Sequence, residues 1–430
     1  MKQFVVRLCV CSLGWTSSVA WADPVGAIGF ADRGAALAGA MYGSDDALSA
    51  AAYNPASAAF AKRASLGLGV SMAAPELTLN NLDAGLASTT ALTAALNIPI
   101  ELGKQWRIAL NGVMYLPTAG IAQIELTAPT ELQVVLWDNR LRRVASEFCA
   151  AVAYKDKLSL GLGVSVFGGV AGDGLDLNVS TLPGRTEATT HLQVDVPWRF
   201  SPYMGLLWKA KSYLSLGVAY REPQKLDAQI YAQSFVSVPG TDIEGDTIIR
   251  ANGIDFYSPR SLHLAASLEL DTWRLYAQLD WQQWSQIKQV ASNVDLLVQL
   301  GIDIDAISLD LPAPHWNDVV IPRLALEHRI NLAPTELVYL RLGYAYIHSP
   351  VPDQSGLSSF ADASRHVFAG GAAYEFEAWQ RRFSFGLALQ AQPLVPRTTI
   401  KDPRYAFASD YRLSGTVFSG SLFMRVELTK

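Results

Sequence analysis

The sequence predicts an all-β fold: a transmembrane antiparallel β-barrel of about fourteen strands whose lumen is plugged by short N-terminal helices. Three observations predict it: the composition, the alternation of residue types along each segment, and the alternation of long and short connections. Hydrophobic residues make up 50% of the 430 residues and charged residues 17%, against about a quarter charged in soluble domains. Because no apolar run after the leader reaches about 18 residues, strands rather than helices have to span the membrane.

The first 22 residues have the features of a cleaved signal peptide. Lys2 and Arg7 give a positive start, residues 8–13 are largely apolar, and an Ala-Trp-Ala sequence ends at Ala22. A membrane anchor is the alternative, but a spanning helix needs about 20 apolar residues. We therefore expect three regions: a signal peptide at 1–22, a hatch that plugs the lumen at 23–63, and the barrel at 64–430.

Charge and cysteine content narrow the partners. After cleavage only Cys149 remains, so neither an intramolecular disulfide nor a cysteine-rich metal site can form. The net charge of -5 argues against nucleic acid as a partner. We expect no cofactor, no metal and a monomeric protein.

Alternating segments provide the strand signal. In residues 158–166 Leu and Val alternate with Ser and Gly, and in residues 273–281 Trp, Leu and Ala alternate with Arg, Tyr, Gln and Asp. One face is apolar and the other is small or polar. A soluble β-sandwich also alternates in this way, so each segment alone is a weak signal.

The connection lengths favour the barrel. Short turns alternate strictly with long loops, as in outer-membrane barrels, which have short periplasmic turns and longer external loops. We therefore expect both termini on the periplasmic side of a Gram-negative outer membrane. The expected strands are residues 65–75, 93–103, 106–116, 145–154, 158–167, 196–209, 213–221, 260–270, 273–283, 319–330, 336–347, 366–376, 382–392 and 415–428.

Aromatic residues cluster at the strand ends, as in the interfacial girdles of membrane proteins. The residues expected beside the short turns are Trp106, Tyr154, Trp208 and Trp273, and those expected at the opposite ends are Tyr115, Tyr220, Trp281 and Tyr346.

The segment between the leader and the first strand predicts a small helix. Ser44 is a good N-cap, Asp45 and Asp46 suit the first turn, and Ala47–Ala52 is helix-permissive. Pro55 is then expected to end the helix.

Several stretches, taken in order, resemble the FadL/TodX-type outer-membrane transporters of fatty acids and hydrocarbons over the whole mature chain. They are Asp45-Asp46-Ala47 leading to Tyr53-Asn54-Pro55-Ala56, Tyr115-Leu116-Pro117 with Gly120, residues 217–221 (Gly-Val-Ala-Tyr-Arg), Trp281 with Trp284-Ser285-Gln286, and Leu342-Gly343-Tyr344-Ala345-Tyr346 with residues 349–353.

The resemblance implies a fourteen-stranded barrel that passively takes up hydrophobic small molecules. External loops would capture long-chain fatty acids or neutral alkanes and arenes, which would pass the hatch and leave sideways into the membrane through a strand irregularity. The implied hatch residues are Asp45, Asp46, Tyr53, Asn54, Pro55 and Ala56. The hatch could also be a fixed plug that never moves.

Candidate cargo contacts are Phe30 in the hatch and arginines on the polar strand faces, because a fatty carboxylate would need a cation. The arginines are Arg199, Arg221, Arg323 and Arg341, together with Arg107 and Arg274. The competing interpretation pairs them with lumen acids such as Asp195, Glu269, Asp280 and Glu327. The stretch 312–318, where the fatty-acid members carry a basic residue, has no Lys or Arg here. This departure argues against carboxylate recognition and leaves room for alkanes, aromatics or other neutral cargo.

Two long loops, 168–195 and 222–259, are the expected capture surface, with Ile230, Tyr231 and Phe235 as apolar contacts. A third loop, 284–318, carries Asp303, Asp305 and Asp310. Clustered carboxylates suit calcium, but a solvated hairpin is the simpler interpretation.

Other functions fit less well. The six histidines fall in no metal or catalytic spacing, so we expect no catalytic residues. A structural or adhesive barrel without transport is the alternative, although it would not need a hatch. The chain ends on Lys430 rather than on an aromatic residue. Either Phe423 and Leu428 are read by the barrel assembly machinery instead, or that machinery tolerates the difference. Outer-membrane lipid and lipopolysaccharide are the expected surroundings.

Overall fold

The structure is a computed structural model in which fourteen strands close into a barrel around an N-terminal segment. It describes residues 24–118, 134, 137, 144–167, 170–180, 187–196, 198–237, 244–287, 293–299, 303–309, 313–354, 360–401 and 410–428.

Strands account for most of the described residues. In chain order they are β1 Ser65–Leu79, β2 Leu82–Asp83, β3 Thr89–Leu102, β4 Trp106–Pro117, β5 Ala145–Tyr154, β6 Leu158–Phe167, β7 Val170–Ser180, β8 Glu187–Val196, β9 Arg199–Lys211, β10 Leu214–Arg221, β11 Gln224–Ser237, β12 Glu244–Ser258, β13 Arg260–Leu270, β14 Trp273–Gln283, β15 Asn293–Gln299, β16 Asp303–Leu309, β17 Val319–Ala333, β18 Glu336–Ile347, β19 Arg365–Ala378, β20 Arg381–Pro393, β21 Arg397–Thr399 and β22 Tyr411–Glu427.

The barrel runs β1-β3-β4-β5-β6-β9-β10-β13-β14-β17-β18-β19-β20-β22. The first and last strands close it by pairing antiparallel from Ser65 with Glu427 to Leu79 with Leu413. This confirms the predicted fold class, and each expected segment overlaps one of the fourteen strands. Closure matters energetically because in lipid an open sheet edge would leave backbone groups unpaired.

The two faces of the barrel wall differ as the alternation predicts. Leu158, Leu160 and Leu162 on β6 point outward, and Leu162 is 67% exposed. Ser159 on the same strand is 1% exposed and faces the lumen. Large apolar side chains therefore coat the outside, where lipid would cover them, and small or polar ones line the inside.

Tight turns close one end of the barrel. Lys155 and Asp156 between β5 and β6, and Trp379 and Gln380 between β19 and β20, each take two successive positive φ angles. Two left-handed residues in a row match the type I′ turn, whose twist fits antiparallel strands.

The long connections at the other end contain ordered hairpins. Strands β7–β8, β11–β12 and β15–β16 come from three successive long connections and join in one six-stranded sheet of order β16-β15-β12-β11-β8-β7. We call it the loop sheet. The expected hairpin within 284–318 is thus present as β15 and β16. Asp310 lies outside the described residues.

The N-terminal segment contains helices Pro24–Ile28 and Ala31–Ala36 and a 3-10 helix at Pro55–Phe60. A second 3-10 helix, Trp284–Gln286, follows β14. None of the helices in the described parts of the chain is long and apolar enough to cross a membrane.

Two local predictions are wrong. Residues Ala47–Ala52 form consecutive turns rather than a helix, and Pro55 begins a helix instead of ending one. Proline suits a first helical turn, where its missing N–H has no partner to lose.

The prediction for Tyr115 is also wrong. Tyr115 does not lie in an outer girdle; it is 3% exposed and shares the lumen side with Val113.

Candidate functional site

Residues 24–60 of the hatch lie inside the barrel, and almost every one of them is buried. Because its helices are short, many of its backbone groups have no partner within the segment, and buried backbone groups need one. Barrel side chains supply these partners. Donors to hatch carbonyls are Asn111 to Ala47 and Leu48, Gln390 to Ala35, Gln392 to Ala27, Ser267 to Gly43, Ser159 to Ala56 and Asn97 to Ala58.

Asn54 joins the hatch to itself and to the barrel. Its side chain is fully buried, and its Oδ1 accepts from the Ala56 N–H at 3.1 Å, which caps the 3-10 helix. Its Nδ2 donates to the Tyr42 carbonyl at 2.9 Å and to the Leu206 carbonyl of β9 at 3.0 Å. One amide therefore satisfies three backbone groups.

Tyr53 and Phe30 pack the two halves of the hatch together. The Tyr53 hydroxyl accepts from the Phe30 N–H at 2.8 Å, and the Tyr53 ring meets Tyr42 edge-on at 5.8 Å. Phe30 is 1% exposed and contacts the Phe423 ring of β22 edge-on at 6.1 Å. Both predicted site residues thus lie within the packed hatch.

Strand glycines give the hatch backbone room inside the barrel. A Cβ on Gly161 of β6 would overlap Pro55 and Ala56, and one on Gly205 of β9 would overlap Asn54. The same holds for Gly217 of β10 against Tyr42 and for Gly343 of β18 against Leu37. These positions face the lumen on separate strands, so the backbone of the hatch touches the wall directly on several sides.

Asp45 and Asp46 are ion-paired to the barrel. Asp45 meets Lys209 at 2.8 Å and Arg274 at 3.3 Å, and Asp46 meets Arg425 at 2.8 Å. Burial alone would raise the pKa of both carboxyls, but the facing cations outweigh it. They hold the pKa of Asp45 well below its ordinary value and lower that of Asp46 to about 2. Both are charged at neutral pH.

Three of the predicted lumen arginines each bridge a carboxylate and the hatch. Arg221 pairs with Glu147 at 2.9 Å and donates to the Ala51 carbonyl at 2.7 Å. Arg323 pairs with Asp280 at 2.6 Å and donates to the Ala38 carbonyl at 2.5 Å.

Arg341 pairs with Glu327 of β17 at 2.7 Å and with Asp32 of the hatch at 2.6 Å. The pairing with lumen acids that was the competing interpretation is therefore present for all three arginines. Contact of these arginines with cargo stays a prediction.

Of the other predicted arginines, Arg107 pairs with Asp156 and donates to the Ala59 carbonyl at 3.2 Å, and Arg274 pairs with Asp45 and Glu269. Arg199 is exposed at the first residue of β9.

Ile230, Tyr231 and Phe235 lie on β11 of the loop sheet, where the Tyr231 hydroxyl donates to Gln233 at 3.0 Å and Phe235 is 39% exposed. Apart from Arg199, the structure places the predicted residues in two groups, one in the lumen and one on the loop sheet.

A Ser-His-Asp series in the lumen was missed by the sequence reasoning. Ser261 Oγ lies 2.9 Å from His263 Nε2, and His263 Nδ1 lies 2.8 Å from Asp280 Oδ1. The order is that of a hydrolase triad. Asp280, however, also accepts from Arg323 at 2.6 Å and from Gln278 at 2.7 Å.

The imidazole of His263 stacks on the Tyr42 ring at 3.8 Å, so the series is tied to the hatch. A signal for it was present in the sequence: the two-residue turn after β13 fixes the register that sets His263 opposite Asp280.

Apolar residues fill the lumen on the loop side of the hatch. The aromatic cluster, as we call it, consists of Tyr257, Trp284, Trp316 and Phe360, whose successive ring centroids are 5.4 to 6.0 Å apart. Ile28 of the hatch belongs to the same buried group. Trp316 lies within the stretch 312–318 that lacks a basic residue.

Two cavities adjoin the hatch. One of about 60 Å³ lies between hatch and wall and is lined by Tyr42, Arg221, His263 and Ile347, among others. The other, of about 190 Å³, is lined mainly by charged groups near the short turns, including Arg33, Glu269 and Arg329. Within the described residues no group of three or more metal-ligating side chains occurs.

Comparisons with known proteins agree with this architecture. A family model described as outer membrane protein transport protein (OMPP1/FadL/TodX) matches residues 15–419. No curated protein sequence matches the chain. A FadL homologue from Pseudomonas aeruginosa is 17% identical with a TM-score of 0.56, covering 96% of this chain and 99% of that one.

Two further solved structures are similar. The toluene transporter TodX of P. putida is 16% identical with a TM-score of 0.55, covering 94% of this chain and 99% of that one. The toluene transporter TbuX of Ralstonia pickettii is 15% identical with a TM-score of 0.52 and the same coverages. At these identities the likeness shows the fold.

Proposed function

Because the chain belongs to the OMPP1/FadL/TodX family of outer-membrane transport proteins, we propose that it takes up hydrophobic small molecules by passive diffusion across the outer membrane. The aromatic cluster inside the lumen is the observation that carries this proposal. A porin for polar solutes has a polar, water-filled interior. Here Trp284 and Trp316, each at most 3% exposed, occupy the lumen on the loop side of the hatch.

The route begins at the loop sheet, where Ile230, Tyr231 and Phe235 capture cargo. It continues along the aromatic cluster to the hatch, whose Tyr53, Asn54, Pro55 and Ala56 fill the lumen. In this proposal the hatch shifts so that cargo can pass.

Sideways release completes the route. Among the described barrel pairings, register shifts occur between β9 and β10 at Leu214 and between β17 and β18 at Asn331. A local irregularity weakens the hydrogen-bonded ladder between two strands. We therefore propose that cargo leaves the barrel for the membrane at one of these two positions.

The same proposal includes the processing and the surroundings of the protein. The signal peptide is cleaved after Ala22, the barrel assembly machinery folds the chain, and the product is a monomer with periplasmic termini that contacts lipopolysaccharide. We assign no catalytic step to the Ser261 series, because Asp280 is neutralised by Arg323 and the series supports the hatch.

The test is uptake in a strain lacking the gene, complemented with the full chain or with a variant lacking residues 23–56. We expect the full chain to restore uptake of at least one of labelled oleate, a long alkane and toluene. The deletion should alter that uptake while leaving a barrel with heat-modifiable gel mobility.

Equal uptake of all three compounds with and without the protein would contradict transport and favour a structural or adhesive barrel. Unchanged uptake after the deletion would contradict the role of the hatch alone.

A further inference from the structure

The connection between β18 and β19 packs into the lumen at the loop end of the barrel. We call its residues 349–354 and 360–364 the strap. Val351, Phe360 and Ala361 of the strap are each at most 6% exposed. All three belong to the buried group that contains the aromatic cluster, and Phe360 is itself one of the four rings of that cluster, edge-on to Trp316. The strap therefore lies directly against the cluster on the loop side.

Hydrogen bonds within the strap join its two halves. Ser349 Oγ donates to Asp362 Oδ2 at 2.5 Å, and the Ser349 N–H donates to Ser364 Oγ at 3.1 Å. Further along, the Phe360 N–H donates to Gln354 Oε1 at 3.4 Å. Because these bonds are internal, the strap can keep its shape when it moves away from the cluster as one body.

Arg397 of β21 fastens the strap to its neighbours. Its Nη1 donates to the Val351 carbonyl at 2.7 Å and to the Asp362 carbonyl at 3.2 Å, and its Nη2 pairs with Asp353 at 2.8 Å. Buried carbonyls of an irregular segment need donors, and a planar guanidinium offers several N–H groups in a fixed arrangement. One side chain therefore holds both halves of the strap.

Other attachments of the strap are single neutral hydrogen bonds. The Tyr411 hydroxyl donates to the Phe360 carbonyl at 3.0 Å, and the Asn317 N–H donates to the Pro350 carbonyl at 2.8 Å. A hydrogen bond from a charged donor contributes more than a neutral one. Arg397, with three such contacts, is thus the strongest of these attachments.

The strap and the hatch are held differently. Side chains on five barrel strands, β3, β4, β6, β13 and β20, donate to hatch carbonyls. The side-chain donors to the strap named above lie on β21 and β22, on one side of the lumen. Segments with few attachments open at a lower free energy than segments with many. We therefore expect the strap to open more readily than the hatch.

We propose that the strap is the external gate of the cargo route and that Arg397 is the positioning residue that keeps it closed. Lifting the strap takes Phe360 away from Trp316 and opens the aromatic cluster to cargo captured at the loop sheet. This rests on the proposed function and assigns its entry step. Arg397 acts through the strap, so its loss changes the rate of entry for every cargo alike.

The first measurement is amide hydrogen exchange of the purified full chain in detergent. Wild type, Arg397→Gln, Arg397→Lys and the control Arg412→Gln are compared after each shows heat-modifiable mobility. Arg412 is an exposed arginine at the same end of the barrel, on the strand that pairs with β21. We expect strap amides of Arg397→Gln to exchange about tenfold faster, the worth of one charged hydrogen bond.

Hatch amides should exchange as in wild type in all four proteins. Arg397→Lys should fall between wild type and Arg397→Gln, because an ammonium keeps the charge but not the forked geometry. If Arg397→Gln does not fold, Arg397→Lys carries the test with a smaller shift in the same direction. Unchanged strap exchange in the Arg397 variants would overturn the role of Arg397.

The second measurement is the initial uptake rate of labelled oleate, hexadecane and toluene in the strain lacking the gene, complemented with each variant. Rates are taken below saturation and divided by the amount of folded barrel. Uptake is then proportional to the open fraction, so Arg397→Gln should raise it by the same factor as strap exchange for every compound that wild type takes up. Arg412→Gln should match wild type.

A merely structural role for Arg397 would lower uptake instead. Faster strap exchange with unchanged or lower uptake would therefore overturn the gate and leave the proposed function standing. If the wild-type chain takes up none of the three compounds, the proposed function itself fails.

Discussion

At the scale of single residues, the hatch is held mainly by polar side chains that complete its backbone hydrogen bonds. Asn54, Asn111 and Arg221 each satisfy two or more hatch groups. The part of the barrel wall that surrounds the hatch is polar because an irregular segment lies against it. The polar and charged lumen residues that suggested a cargo path from the sequence thus serve to hold the hatch in place.

Replacement of Asn54 by alanine tests this task. Asn54→Ala leaves the Tyr42 and Leu206 carbonyls and the Ala56 N–H short of a partner, each costing about 1–3 kcal/mol when buried. We expect amide hydrogen exchange in the hatch to rise at least about tenfold while the barrel strands stay protected.

Asn331→Ala, at an exposed position near a short turn, is the matched control and should leave hatch exchange unchanged. Equal protection of the hatch in Asn54→Ala and wild type would mean that packing alone holds it.

Asp46 gives the hatch a pH dependence. Its pKa falls from about 4 in the unfolded chain to about 2 in the fold, because the facing cations outweigh burial. A lowered carboxyl pKa contributes stability that is complete above about pH 4 and is lost as pH falls through about 2. The contribution is about 2 kcal/mol.

We therefore expect guanidinium unfolding of the detergent-solubilised protein to show a falling midpoint between about pH 4 and pH 2. Asp46→Asn should have a lower midpoint at pH 7 and a shallower fall in that window. Identical pH profiles for the two proteins would assign the acid sensitivity to other carboxyls.

At the scale of elements, the fit between hatch and strands depends on where glycine stands. On lumen-facing positions of β6, β9, β10 and β18 a Cβ would overlap the hatch, whereas at the outward-facing Gly370 it would make only ordinary contact. The hatch itself forms turns over residues 47–52 because barrel donors such as Asn111 take the carbonyls that a helix would use internally. Local helix propensity is a weak preference that such tertiary contacts override.

Gly343→Ala tests the fit. The three atoms nearest to its added Cβ all belong to the hatch backbone at Leu37 and Ala38, whereas at Gly370 on the neighbouring strand the nearest atom is 3.5 Å away. Overpacking costs about 1–3 kcal/mol. We expect Gly343→Ala to expose Arg33 to trypsin sooner than in wild type.

Gly370→Ala should be cleaved as slowly as wild type. Equal trypsin sensitivity of the two variants would contradict direct contact between the hatch backbone and β18.

At the scale of the whole molecule, closure from β1 to β22 joins the fourteen barrel strands in one continuous ladder. Each of these fourteen strands has two neighbours, so heating has to break a closed ladder. We expect unheated and boiled samples from the outer-membrane fraction to run at different positions on a gel. Recovery from the soluble periplasm, with one mobility, would contradict the membrane barrel.

The sequence by itself determined the barrel, because strand alternation and connection length are local properties that each segment carries. The alternation of residue types from Leu158 to Val166 indicates which face of that strand meets lipid, and no other strand is needed to see it. The sequence also predicts a hatch through Asp45-Asp46 and Asn54-Pro55-Ala56. Only the tertiary structure decided three features: the turn conformation of residues 47–52, the lumen side of Tyr115 and the Ser261-His263-Asp280 series.

The lumen arginines show the same division. The polar strand phase pointed to Arg221, Arg323 and Arg341, but their pairing with acids and hatch carbonyls depends on a lumen shared by fourteen strands. The charge balance of a buried space depends on which residues meet across the barrel. These residues are far apart along the chain, so a local sequence pattern does not show which of them meet.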